Sequence, residues 1–301
     1  MRSRKCTQLF TLFITPGLVS LAPLFAQAPP NAQDQGNRTV PIYRLTVVQR
    51  ALEAVNFQSH SGPTRIDFKG TVLLPKAEGE AKVEVKNGYT EINANFKHLD
   101  PPTKFGREVL TYVLWAITPE GRGINLGEVV ADSSNKASMR VTCPNSTFGL
   151  LVTAEPYFSV PYPSDVVVLE SAVRPDTVGR VQEVQAKYEL LPRGQYTLNI
   201  KPQELPSASM KAERGVSMTE YEALLELYQA RNAVQIAKAD GAAQAAPDTF
   251  NRAEEYLSQA ESLYAAKKDL NGVINTARQA VQAASDARAI AMRKKTAGDQ
   301  H

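Results

Sequence analysis

Cysteine and histidine are scarce in this 301-residue chain, and neither sign of charge is in real excess. Of the two cysteines, Cys6 precedes the apolar stretch 9–26. Only Cys143 then belongs to the exported chain, which cannot close an internal disulfide and must rest on hydrophobic cores. Cys143 ends the alternating run Met139-Arg140-Val141-Thr142, the setting of a strand thiol rather than a nucleophile. Of the three histidines, His60, His98 and His301, neither His60 nor His98 has a metal-ligand partner at the usual spacing nearby, so both read as solvated loop histidines. Basic residues number 34 against 31 acidic, and setting aside Arg2, Arg4 and Lys5 leaves the remainder neutral. That balance argues against a nucleic-acid partner. No H-E-x-x-H, G-x-S-x-G, P-loop or G-x-G-x-x-G pattern occurs. The expectation is a protein that is not an enzyme and carries no cofactor and no metal.

What the N-terminus does contain is an address. Arg2, Arg4 and Lys5, then an apolar stretch, then Ala26-Gln27-Ala28 match a secretory signal peptide. Cleavage is expected after Ala26 or Ala28, and Pro16, Gly17 and Pro23 interrupt the stretch in a way that suits a signal better than an anchor. Beyond it no window of about 18 apolar residues remains, so no membrane span is expected after signal removal. The implied location is the periplasm or the cell exterior.

Residues 29–39 form a polar leader, and from Val40 the chain becomes a series of short β-rich runs. Strands are expected at 42–48, 65–74, 81–86, 89–96, 109–117, 124–131, 137–142, 149–154, 166–169, 182–191 and 195–200. Asn87-Gly88 is the favoured pair of a type I′ hairpin, and Pro119-Glu120-Gly121 is a turn with proline at its second position. Strands at this spacing without intervening helices predict an all-β antiparallel sandwich over 40–200. The linker 201–216 follows, and then the period changes to that of a helix. Ser217 and Glu220 have capping-box spacing, and Asp248 and Asp269 stand where two further helices would be capped. A helical bundle is expected over 217–295, with 296–301 as a tail. Its apolar stripes are rich in alanine, so each helix needs a neighbour to be stable.

Two stretches resemble known families. Tyr112-Val113-Leu114-Trp115-Ala116-Ile117-Thr118-Pro119-Glu120-Gly121, with Leu126-Gly127-Glu128 and Glu155-Pro156 after it, resembles the extracytoplasmic domain of anti-sigma-K-type factors. That resemblance implies an immunoglobulin-like sandwich. Phe250-Asn251-Arg252-Ala253-Glu254-Glu255-Tyr256-Leu257 and Ala277-Arg278-Gln279-Ala280 are similar to an Ala-rich helical domain of bacterial envelope proteins that often stands beside an OmpA-like domain. Such company implies peptidoglycan as one partner.

Two recognition surfaces follow. Tyr157, Phe158 and Tyr162 share one proline-rich loop, which either displays its rings or buries them over the end of the sandwich. Tyr221, Leu224, Leu225, Tyr228, Tyr256, Leu257, Leu263 and Tyr264 mark a helix-association face, for a protein partner or a second copy. Trp115 alternates with Val113 and Ile117 and is expected in the core. Asp67, Glu84 and Glu91 read as exposed strand faces, although a hydrolase could assemble carboxylates from distant strands. The expected function is a non-catalytic binding or assembly module of the envelope, the sandwich for recognition and the helices for association; the alternatives are a cell-wall scaffold and a hydrolase.

Overall fold

The computed structural model describes residues 49–59, 62–187, 217–267 and 269–298. The signal peptide and its cleavage sites, the leader, the strands expected at 42–48 and 195–200, the linker, His60 and His301 lie outside the described residues. All described elements belong to one compact unit, Ile42–His301.

Ten strands come first: β1 (Gln49–Asn56), β2 (Thr64–Gly70), β3 (Glu78–Lys86), β4 (Tyr89–Lys97), β5 (Thr111–Ile117), β6 (Gly123–Val129), β7 (Ala137–Cys143), β8 (Thr147–Glu155), β9 (Val167–Ala172) and β10 (Arg180–Lys187). Most fall where alternation places them, but the strand expected over 65–74 stops at Gly70 and gives way to a turn held by Thr71. β1 was not expected, since its Ala51-Leu52-Glu53-Ala54 stretch carries little β propensity; it is held by pairing along its whole length with β10, from Gln49↔Lys187 to Asn56↔Arg180. The turns follow their chemistry. Gly88 takes φ +88° in the Asn87-Gly88 hairpin, and Gly121 N donates to Thr118 O at 2.8 Å across Pro119-Glu120.

Every pairing is antiparallel, and the hydrogen-bonded path runs β6-β5-β8-β9-β2-β3-β4-β7. β8 bonds β5 along one edge and both β1 and β9 along the other, which joins the strands into one curled sheet. The path bends until β6 and β7, at its two ends, lie side by side without ladder bonds. The architecture is therefore a nearly closed antiparallel barrel followed by helices.

The barrel interior holds Ile66, Phe68, Ile92, Phe96, Leu114, Phe148 and Leu150, with the Phe68 and Phe96 rings 5.0 Å apart. β2, β4, β6 and β8 all finish at one end, here termed the upper end. It carries the loops 71–77, 98–110, 130–136 and 156–166. Segment 98–110 crosses this end from β4 to β5 and is tied down by Tyr112 Oη donating to Asp100 O at 2.6 Å.

The helices are α1 (Met218–Ala239), the single turn α2 (Ala242–Ala245), α3 (Pro247–Ala266) and α4 (Leu270–Gly298). Ser217 Oγ accepts from Glu220 N at 3.1 Å and starts α1, and Asp269 Oδ1 accepts from Gly272 N at 2.8 Å and starts α4. Asp248 is not the cap it was expected to be. Ala246 holds that position and Asp248 sits in the first turn of α3, because the fixed φ of Pro247 suits the first helical residue. α1 packs along α4, and α4 along α3.

Candidate functional site

The alanine-rich helices find their neighbour inside the same chain. β5 and β8 alternate, so while Leu114 and Leu150 enter the barrel, Val113, Trp115, Ile117 and Leu151 point outward. Those outward residues form one buried cluster with Leu227, Ala230, Ala233, Ala277 and Ala284 of the helices. Alanine lets helix and sheet approach closely, and Trp115 is fully buried in this seam rather than in the barrel interior. Each Leu or Val buried there contributes about 1.5–3 kcal/mol.

Polar groups fix the register of the seam. Asn232 Nδ2 donates to Glu108 O at 2.9 Å and to Pro156 O at 3.0 Å. Gln229 Oε1 accepts from Phe158 N at 2.7 Å while its Nε2 donates to Glu128 Oε1 at 2.7 Å. Arg288 donates from Nε to Asp240 Oδ2 at 2.5 Å and from Nη1 to the Tyr157 hydroxyl at 3.4 Å. Buried polar groups that find partners hold one arrangement in place, because any other leaves them bare.

The seam also buries two carboxylates beside a guanidinium whose side chain is 40% exposed. Glu128 Oε1 accepts from Gln229 and from Thr111 Oγ1 at 2.7 Å, and its Oε2 accepts from Arg278 Nη1 at 3.2 Å. The same Nη1 donates to Glu226 Oε1, while Glu226 Oε2 is buried without a hydrogen-bond partner among the described residues. Burial first, and the Glu128 charge second, push the Glu226 carboxyl up to about 8 against the pull of Arg278. Burial and the Glu128 charge thus favour the protonated form of Glu226 at neutral pH. Arg278 also stacks over Phe158, its guanidinium carbon 4.3 Å from the ring centroid.

A second buried chain anchors the loop 156–166. Trp115 Nε1 donates to Thr153 Oγ1 at 2.8 Å, Thr153 Oγ1 donates to Glu155 Oε1, and that oxygen accepts from Ser164 N at 2.7 Å. The donors around Glu155, like those around Glu128, are structural groups. Asp67, Glu84 and Glu91 lie on the outer barrel face in ion pairs with Arg174, Lys86 and Arg140. Cys143 is buried, which raises its thiol pKa, and His98 is exposed with φ +59°. No group of three His, Cys, Asp or Glu side chains is placed to hold a metal among the described residues.

The aromatic loop divides its three rings. Tyr157 is fully buried in the seam, Phe158 is half-buried beneath Arg278, and Tyr162 is 47% exposed. Tyr162 and Pro161 border an open groove of about 670 Å³ against Ala289, Met292, Arg293 and Thr296 of α4. The helix residues divide as well. Tyr228 is buried on Leu110 with Leu224 and Leu225 packed beside it, and Tyr221 and Leu225 close a cleft of about 60 Å³ at the upper end of the barrel. Tyr256, Leu257 and Tyr264 pack half-buried against the seam cluster, and Leu263 is half-buried. Glu128, Glu226, Gln229, Asn232, Arg278 and Arg288 were not foreseen from sequence. Glu226, Gln229 and Asn232 recur every third residue along α1, a spacing that gathers them on one side of a helix whose remaining residues are largely apolar.

No protein-family model, curated protein or solved structure matches this chain.

Proposed function

We propose that this chain is a non-catalytic binding module of the bacterial cell envelope, a β-barrel braced by helices whose recognition surface is the groove beside Tyr162. What supports this reading is the division of the aromatic loop. Tyr157 and Phe158 are engaged in the seam, which holds the loop rigid, and Tyr162 is left exposed over Met292 and Arg293. A preordered aromatic beside an apolar floor and a cation binds with little loss of conformational freedom. The charged start and apolar stretch before Ala28 support export. An immunoglobulin-like relation of these strands rests on the resemblance carried by residues 112–128 alone.

A photo-crosslinking phenylalanine analogue at Tyr162, in cells expressing the chain, tests the reading. It should yield an adduct that the same group at Val178, exposed at the other end of the barrel, does not. Co-sedimentation with purified peptidoglycan then separates a cell-wall ligand from a protein one. Absence of an adduct at Tyr162, or equal adducts at both positions, would overturn the reading. Self-association is a second reading, favoured by the partly exposed Tyr256, Leu257, Leu263 and Tyr264. Sedimentation equilibrium giving only monomer at high concentration would remove it.

A further inference from the structure

The loop between β2 and β3 holds two adjacent aliphatic side chains out in solvent on a backbone that is pinned. Thr71 N donates to Val168 O at 3.0 Å and Thr71 Oγ1 donates to Val167 O at 2.7 Å. The same Oγ1 accepts from Leu73 N at 3.2 Å, and Leu74 N and Ala77 N donate to Thr71 O and Leu74 O at 3.1 and 3.0 Å. Leu74 and Ala77 are buried and anchor the loop, whereas Val72 is 90% exposed and Leu73 40%. The turn is tight enough that a Cβ on Gly70 would stand 2.2 Å from Leu74 O. A slack loop could fold Val72 and Leu73 back onto the barrel; this one holds them outward.

The surroundings carry a small excess of positive charge. Lys69, Glu78 and Lys97 are cross-strand neighbours on the outer face just below the loop, and Lys76 is exposed on the loop itself. Lys97 bonds Glu78 at 3.4 Å and Glu170 stands opposite Lys69 on β9, so three cations lie about the tip against two anions. Two other loops of the same end expose Val130 and Tyr162.

We propose that this tip is a membrane-docking wedge: Val72 and Leu73 enter the headgroup region of an anionic bilayer, and Lys69, Lys76 and Lys97 meet its phosphates. The tip is convex, so it suits a soft surface it can enter. Lysine stems lie along apolar surroundings while their ammonium groups stay at headgroup level. The amides of Thr71, Leu73, Leu74 and Ala77 are satisfied within the protein, so few bare N–H groups leave water on insertion. This surface is distinct from the Tyr162 groove, and either can fail without the other.

Vesicle flotation tests it, using the chain from Pro29 onward, which keeps every described element and omits the apolar stretch that would bind lipid by itself. With vesicles containing roughly one third phosphatidylglycerol the chain should float, and less so in about 0.5 M salt. Leu73→Asp and Val72→Asp should each weaken partition about tenfold or more. Both positions are exposed, and unchanged melting curves would verify that the variants fold. Leu73→Trp adds an independent readout, because Trp115 is buried and its emission stays constant while the emission of the introduced indole should shift to the blue on vesicles. Wild-type chain that stays down with anionic vesicles, including one whose tip is captured only by a protein, overturns the proposal. So does flotation that the two aspartate variants leave unchanged.

Discussion

Substituting Glu226 should change how stability depends on pH more than it changes stability itself. In the folded chain this carboxyl is raised from 4.5 to about 8, chiefly by burial, with the Glu128 charge adding to it. Between those values the unfolded chain has released the proton and the folded chain still holds it. The seam is therefore fully stabilised below about pH 4.5 and loses stability as pH rises through about 8. One proton corresponds to about 1.4 kcal/mol per pH unit, so a few kcal/mol are lost between mildly acidic and mildly alkaline pH. The groups facing Glu226 account for that direction: Glu128 from β6 and Glu222 from α1 favour the neutral form, and only Arg278 from α4 favours the charged one. Glu226→Gln keeps an oxygen for Arg278 but cannot ionise. It should match the wild type in mild acid, exceed it by a few kcal/mol in mild alkali, and remove about one proton from the pH slope. The assay is urea denaturation across that range, followed by Trp115 emission, which reports on the seam because the indole is buried in it. A wild-type curve that rises with pH, or a Glu226→Gln curve parallel to it, would refute the assignment of the retained proton to Glu226.

Other outcomes follow from the same geometry. Asn232→Ala strips Glu108 O and Pro156 O of a donor within the seam and should lower the unfolding free energy by about 1–3 kcal/mol in the same assay. Arg288→Ala leaves Asp240, whose side chain is only 9% exposed, without its guanidinium, and should cost about 3–5 kcal/mol. Cys143 should resist a thiol reagent in the folded chain and react on unfolding, as followed by absorbance during titration with urea.

The individual elements were legible in the sequence because each carries its own local signal. Alternation placed β2 to β10, though it carried β2 past Gly70 into the turn at Thr71; Asn87-Gly88 and Pro119-Glu120-Gly121 placed the turns, and Ser217 and Asp269 placed two helix starts. What was not legible is how the elements meet. β5 is apolar on both faces, which says that both are covered, but nothing in Val113-Trp115-Ile117 says that helices more than 100 residues later will cover the outer one. Glu226, Gln229 and Asn232 have the composition of a solvated face, yet they are buried against the barrel, where Glu226 Oε1 meets Arg278, Gln229 Oε1 meets Phe158 N, and Asn232 Nδ2 meets Glu108 O and Pro156 O. Tertiary pairing likewise overrode propensity in β1. Of the aromatic loop, composition named the right three rings, but only the position of α4 decides which of them reaches solvent.

The most direct test of the helix-braced barrel is a two-probe unfolding experiment on the chain from Pro29 onward. Trp115 emission follows the seam, and far-ultraviolet circular dichroism follows the helices. Coincident transitions at one denaturant concentration are expected, because Trp115 cannot stay buried once α1 and α4 leave β5 and β8. A helical signal that melts first, while Trp115 keeps the emission of a buried indole, would contradict the brace and make the helices a separate domain.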